Sequence, residues 1–246
     1  MTILALDTAT PATTVALCGP PVGSRPLEAR DDPLPGQRPG HATRLMPLAA
    51  GLLERAGLGW EALARIAVGT GPGTFTGLRI GIATARALAR GLGIPLTGVS
   101  TLRAVALNAL EPGLDPGTPG DLEAVFAVLD ARRREVFAAG WRVEQLRAGE
   151  PPFFPPRALA PRALAEQLAD LGMAPLLVGN GAVAFRPALE RSEALIPEDE
   201  SALHRVTATQ HCRLAGAMPG GDPDDVHPEY LRLPDAEISR RTVPHP

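Results

Sequence analysis

The chain has 246 residues, 45% of them apolar and 21% charged, which suits a soluble globular protein with one large core or two smaller ones. A net charge of −3 argues against a dedicated nucleic-acid binder, and the two cysteines, Cys18 and Cys212, spell no metal or redox motif. No apolar run reaches the roughly 20 residues of a membrane span and no basic leader region precedes the first strand pattern, so the expectation is a soluble, cytoplasmic protein that engages no membrane.

Strand and helix patterns alternate along the chain. Thr2–Asp7 and Thr13–Cys18 are short apolar runs on either side of a turn and read as a β-hairpin. Gly19–Gly40 is rich in proline and glycine and reads as loop, with a poor strand around Leu27–Arg30. His41–Ala56 is helical, with Leu45, Leu48 and Leu52 at helical spacing and Gly57 as its stop. Next come a strand at Arg65–Gly69, a helix at Phe75–Leu92, a strand at Leu96–Val99, and a helix capped by Ser100 running to Leu110. Glu111–Gly120 is turn chemistry throughout and marks a hinge, which divides residues 1–110 from residues 111–233. Beyond it, Ala124–Asp130 and Glu135–Trp141 form a second hairpin. A proline-rich loop at Pro151–Pro156, a helix over Ala163–Leu171, a strand at Pro175–Val178 and a late helix over about Ser201–Ala215 follow, the last of these free to pack back on the first domain. His227–Leu233 reads as a final strand, and residues 234–246 as a tail.

The densest signal is Gly69–Gly93, where Gly69, Gly71, Gly73 and Gly77 fall between a strand and a helix. Glycine permits close backbone approach, so the block predicts either an anion-binding turn or a helix packed tightly on a neighbour. It is no Walker A loop, because lysine is absent, and Gly71-x-Gly73-x-x-x-Gly77 is one residue longer than the dinucleotide fingerprint. The looser spacing leaves an NADP-binding reading open, with Ser100 and Arg103 placed for a phosphorylated ribose.

Both halves open alike, with a strand ending in aspartate, a short turn and a returning strand: ILALD-TATPATTVAL and AVFAVLD-ARRREVFAAG. The fold class expected is therefore α/β, a duplicated actin/Hsp70/sugar-kinase-like (ASKHA) fold of two domains, each with a mixed sheet opened by a β-hairpin. In that superfamily a nucleotide lies between the hairpins. Asp7, Thr8, Thr10 and Asp130 are the candidates for such a cleft here, as a vestige of it, with turn stabilisation as the alternative for the two aspartates.

The Asp7-Thr8-Ala9-Thr10 opening, HATRLMP at His41–Pro47, GTGPGTFTGLRIGIATARALA from Gly69, GVSTL at Gly98–Leu102, LDARRREVF at Leu129–Phe137 and PEYLR at Pro228–Arg232 together resemble the bacterial TsaB (YeaZ) family over almost the whole chain. The resemblance implies a role in forming N6-threonylcarbamoyladenosine beside the anticodon of tRNAs that read codons beginning with A. It implies a TsaD-like catalytic paralogue and a TsaE-like ATPase as partners, a homodimer in isolation, and tRNA engaged only through the complex. It also raises an M22-like metallopeptidase as an alternative. TsaD-like chains hold their metal through a His-x-x-x-His pair, and among His41, His204, His211, His227 and His245 no two are four apart, so no metal site is expected. The turns carry Ala9 and the glycine-free Ala131–Arg134 where active members of the superfamily place glycine. The expectation is therefore a pseudo-enzyme with no catalytic residue and no required cofactor, leaving room only for weak ATP or ADP binding in the cleft or at the complex interface.

The two long helices carry more apolar surface than one buried face requires. Ile80, Thr84 and Ala87 form a second stripe on Phe75–Leu92, and His41, Leu45, Leu48 and Leu52 lie on His41–Ala56. These seven residues are expected to meet a partner subunit in a helical bundle.

Overall fold

The computed structural model describes residues 1–34, 36–111 and 122–232. Two mixed sheets carry the chain. The first orders its strands β3-β2-β1-β4-β5, with β1 Ile3–Asp7, β2 Thr13–Gly19, β3 Gly23–Asp31, β4 Arg65–Gly71 and β5 Leu96–Ser100. The second orders them β8-β7-β6-β9, with β6 Ala124–Asp130, β7 Val136–Arg142, β8 Phe154–Leu159 and β9 Leu176–Val178. Each opens with an antiparallel hairpin, β1–β2 or β6–β7, and sets a parallel strand on the far side of its first strand, β4 or β9. This repeated topology is the duplicated ASKHA arrangement.

Alternation along β1 sorts the layers. Leu4 and Leu6 join Leu45, Ala49, Leu52, Ile82, Ala85 and Ala89 from helices α1 (His41–Ala56) and α2 (Phe75–Leu92) on one face. Ile3 and Ala5 join Ala208, Cys212 and Ala215 of α8 (Ala208–Ala217) on the other. The residues under α8 are mostly alanine, which lets that helix lie close to the sheet. Arg65 Nη1 donates to the Ala215 and Met218 carbonyls at 2.7 and 2.6 Å, satisfying acceptors at the end of α8. The second sheet packs Val125, Ala127 and Leu129 on Leu102 and Val105 of α3 (Thr101–Leu107), with α4 (Val143–Ala148) beside them. Its other face holds α5 (Pro161–Ala169), α6 (Asn180–Ala184) and α7 (Arg186–Leu189). Helices α3 and α8 thus lie between the sheets, and packing ignores the sequence boundary near residue 110.

Both long helices end as their sequence predicts. Gly57 and Gly93 adopt left-handed caps at φ 65, and the Thr74 hydroxyl accepts from the Gly77 amide at the start of α2. Four expectations need correcting. The late helix expected from about Ser201 begins at Ala208, after a single 3-10 turn at Ala202–His204. β3 is a nine-residue strand rather than a poor one, and it carries Pro26 on the sheet edge, where a missing N–H costs no ladder bond. Pro151–Pro156 is not all loop: β8 begins at Phe154, again on an edge, with an irregularity in its pairing between Ala138 and Gly140 of β7. Residues 227–232 form no strand and are tethered by the Glu229 amide to the Thr70 carbonyl at 2.7 Å. The expected hinge beyond Glu111 and the expected tail lie outside the described residues.

Candidate functional site

The first hairpin tip is closed. Asp7, fully buried, receives the Ala9 amide on Oδ1 at 2.7 Å, and the Thr101 hydroxyl on Oδ2 at 2.7 Å. His211 Nε2 from α8 approaches Oδ2 at 2.9 Å, while its Nδ1 lies 2.9 Å from the Thr207 carbonyl. Nδ1 thus has a backbone acceptor, while Nε2 makes a close buried contact with the carboxylate as an ion-pair partner when the ring is protonated. Burial is the largest influence on His211 and opposes its charge. The close contact with Asp7 and its charge, with the Thr207 carbonyl, outweigh it and hold the ring above the ordinary histidine value. Burial likewise pushes Asp7 up, but His211, Thr101 and the Ala9 amide together hold it below the ordinary carboxylate value.

The glycine block seals this tip from the other side. A Cβ on Gly69 would fall on the Asp7 carboxylate, and one on Gly77 would fall on the Thr8 carbonyl oxygen. Thr8 Oγ1 donates to the Gly77 carbonyl at 2.7 Å, and the Thr74 amide donates to the Ala9 carbonyl at 2.8 Å. The glycines bring α2 onto the hairpin turn, which is the second of the two readings of the block. A pyrophosphate has no place there, and the NADP reading is corrected on that ground.

The second tip is open. Asp130 Oδ1 receives the Arg132 amide at 2.8 Å, repeating the turn at Asp7, and its carboxylate lies 3.5 Å from the Arg132 guanidinium. The Asp130 amide donates to Asn180 Oδ1 at 3.1 Å, tying the turn to the start of α6. Arg132, Arg133 and Arg134 stand at φ 62, 52 and 63. Three successive non-glycine residues in the left-handed region cost about 1–2 kcal/mol each. Bonds from the Ala131 amide to the Glu135 carbonyl and from the Glu135 amide to the Arg132 carbonyl, both 3.0 Å, hold the turn. The tip borders a groove of about 470 Å³ between the start of α2 and residues 229–232.

The four candidate nucleotide residues do not line one cavity together. Asp7 and Thr8 are buried, with their side chains engaged within the protein. Thr10 borders a separate cavity of about 530 Å³ whose far wall is Asn180, Val183 and Ala184, and Asp130 borders the 470 Å³ groove. Both carboxylate oxygens of Asp7 are engaged inside the protein. Among the described residues, no group of three or more His, Cys, Asp or Glu side chains lies together to hold a metal ion.

The candidate partner residues also separate. His41, Leu45 and Leu52 are buried within the first domain, and His41 Nδ1 lies 2.8 Å from the Thr13 hydroxyl. Burial, the leading influence, lowers the His41 pKa against the pull of Asp7 and Asp31. These three form the floor of α1 and not its outer face. Leu48, Ile80 and Thr84 are half-buried and Ala87 is exposed. Met46, Pro47 and Ala50 of α1 and Ala83 and Gly91 of α2, all exposed, extend that outer face. Nothing in the spacing of the sequence pairs His211 with Asp7 or brings Phe75, Arg79, Tyr230 and Arg232 to the groove. The only signal for the last four was that they stand in the motif blocks GPGTFTGLR and PEYLR.

The geometry defines a duplicated ASKHA-fold protein in which the first of the two hairpin turns is closed. The chain is 32% identical over 211 residues to the tRNA threonylcarbamoyladenosine biosynthesis protein TsaB of Escherichia coli, covering 82% of this chain and 81% of the relative. It is 35% identical over 156 residues to the protein of the same description from Haemophilus influenzae, covering 63% and 59%. A family model described as tRNA N6-adenosine threonylcarbamoyltransferase, TsaD, matches residues 37–150. The solved structure of a Pseudomonas aeruginosa protein with similarity to peptidase YEAZ matches with a TM-score of 0.73 at 30% identity, covering 94% of this chain and 99% of that one. The chain belongs to the TsaB (YeaZ) family. Among the described residues no helix is long and apolar enough to cross a membrane.

Proposed function

We propose that this protein is a non-catalytic subunit of the assembly that forms N6-threonylcarbamoyladenosine in tRNA, where it binds and activates a TsaD-like catalytic paralogue and meets a TsaE-like ATPase. The observation that carries this reading is the engagement of Asp7. Asp7 is fully buried and each of its oxygens already accepts a hydrogen bond, from the Ala9 amide and the Thr101 hydroxyl, so it offers no exposed oxygen to a magnesium–nucleotide and a scaffold fits the first lobe better than an ATP-dependent catalyst. The outer face of α1 and α2 supports the partner role. Met46, Pro47, Ile80, Thr84 and Ala87 make a face of small and apolar side chains that suits close packing of helices in a heterodimer, or in a homodimer when the partner is absent.

The test is reconstitution. The chain alone should hydrolyse no ATP and modify no tRNA, and adding it to the catalytic paralogue and the ATPase should raise modification. Ile80→Glu should abolish association, seen by light scattering, while leaving thermal unfolding within about 1 kcal/mol of wild type, as for a surface change. Metal-dependent ATP turnover by the isolated chain, or an unchanged oligomer in Ile80→Glu, would sink the proposal.

A further inference from the structure

Three motif blocks far apart in the chain meet at one place that the scaffold role does not use. Residues 73–76, 130–133 and 229–232 together wall the 470 Å³ groove. At its mouth Phe75 and Tyr230 are 37% and 40% exposed, with ring centroids 5.3 Å apart and planes inclined by 31°. The Arg79 guanidinium sits 3.7 Å over the Phe75 ring and donates to the Tyr230 hydroxyl at 3.3 Å. Arg132 and Arg133 come from the left-handed turn opposite, and Arg232 from the last described residues. Large aromatic rings left open to water beside guanidinium groups are poor solutions for a surface with nothing to bind.

From this arrangement we infer that the groove is an RNA contact that takes an unpaired nucleotide from a single-stranded loop. Exposed rings offer a stacking platform that an unpaired base can use and a paired one cannot, and guanidinium groups answer the phosphates on either side. A volume of about 470 Å³ lies in the range of small-ligand sites and suits a base with its sugar rather than a helix. The acidic residues nearby temper the positive charge without removing the guanidinium donors. Asp130 and Glu135 are matched to Arg132 and Arg232. Glu229, half-buried on the same wall and raised above the ordinary carboxylate value by burial, is suited to hydrogen-bond a base edge. The chain's negative net charge conceals the patch because its members are scattered in sequence. The inference rests on the proposed role in tRNA modification and adds that this subunit itself touches the RNA, weakly when alone.

Fluorescence anisotropy of the full chain with a labelled anticodon stem–loop RNA tests it, with a blunt duplex of the same length and free AMP as comparisons. The stem–loop should bind at low salt and weaken as salt rises, and the duplex should bind no better than background. Tyr230→Ala and Phe75→Ala should each weaken stem–loop binding about tenfold. Arg132→Gln, which alters no packed side chain, should weaken it and flatten the salt dependence. Equal binding of duplex and stem–loop, full displacement of the RNA by AMP at equal affinity, or unchanged binding in both Tyr230→Ala and Arg132→Gln would overturn the inference. Reconstituted tRNA modification separates the two claims. If groove variants modify tRNA as well as wild type, the RNA contact fails and the scaffold stands. If the wild-type chain stimulates nothing, the scaffold reading itself has failed.

Discussion

The two hairpin tips begin from the same local code and end as different objects. Each β-strand finishes in an aspartate whose Oδ1 receives the amide two residues on, from Ala9 at one tip and Arg132 at the other, at 2.7 and 2.8 Å. At the first, the glycines of α2 press on the turn from one side and α8 brings His211 to the carboxylate from the other. At the second, Asn180 and the close-packed Gly181 bring the start of α6 to the turn, whose arginine side chains stand at the surface. A strand-end aspartate thus sets a turn in both lobes, and the tertiary neighbours decide whether its carboxylate is buried or left partly open to solvent.

The largest effect should come from breaking the closed tip. Asp7→Asn removes one partner of a fully buried ion pair and strands the His211 charge, which typically costs about 3–5 kcal/mol. For a domain of this size that corresponds to a fall of roughly 10 °C in Tm. If Asp7 instead served a nucleotide, the variant would lose ligand affinity and keep its Tm, so one melting curve decides between the roles.

Gly77→Ala should come next. Alanine ordinarily improves a helix interior by about 1 kcal/mol over glycine. Here its Cβ falls on the Thr8 backbone carbonyl, and forcing the helix away should reverse the sign to a loss of about 1–3 kcal/mol. Gly91→Ala, on the same helix with open space at its Cβ, is the matching control and should be neutral or stabilising. Equal responses at the two positions would show that α2 does not press on the hairpin.

The Asp7–His211 pair also predicts a pH window. Asp7 is lowered in the folded state, so its contribution is complete above the unfolded value of about 4 and is lost as pH falls through the folded value. His211 is raised, so its contribution is complete below the unfolded value of about 6.5 and is lost as pH rises through the folded one. The pair therefore supports the fold most between about pH 4 and 6.5. Denaturant unfolding across pH should show stability declining on the alkaline side in wild type, and a flatter alkaline limb in His211→Gln. A wild-type limb as flat as the variant's would mean the ring is neutral in the fold.

The legible parts of this molecule were those whose signal is local. The leucine spacing and glycine stops of α1 and α2 give their bounds directly, because periodicity and capping act within a few residues. β3 and β8 were obscured by Pro26, Pro155 and Pro156, since edge position, which is what tolerates proline, is a property of the sheet and not of the segment. The outer face of α2 was readable as an excess of apolar side chains. On α1 the same reasoning placed His41, Leu45 and Leu52 with the partner, because a wheel of apolar positions does not say which stripe the sheet takes. The closing of Asp7 was beyond reach. Its partner stands near the other end of the chain, on a helix whose docking depends on the alanine-lined face of the first sheet.

The smallest change should be at the open tip. Asp130→Asn keeps the side-chain oxygen that accepts from Arg132, and asparagine is at home in such turns. What it loses is a 3.5 Å pairing with a guanidinium that is 60% exposed, a contact worth no more than about 1 kcal/mol and reduced by salt. Thermal stability should therefore stay within a few degrees of wild type, against the roughly 10 °C loss at Asp7. The groove, however, gains a unit of positive charge where Asp130 had offset Arg132, so stem–loop RNA should bind a few-fold more tightly at low salt, the gain fading as salt rises. A destabilisation equal to that of Asp7→Asn would mean both tips carry structural carboxylates. Tighter binding with unchanged stability would show that the carboxylate at the second tip sets the charge of the groove and not the stability of the fold.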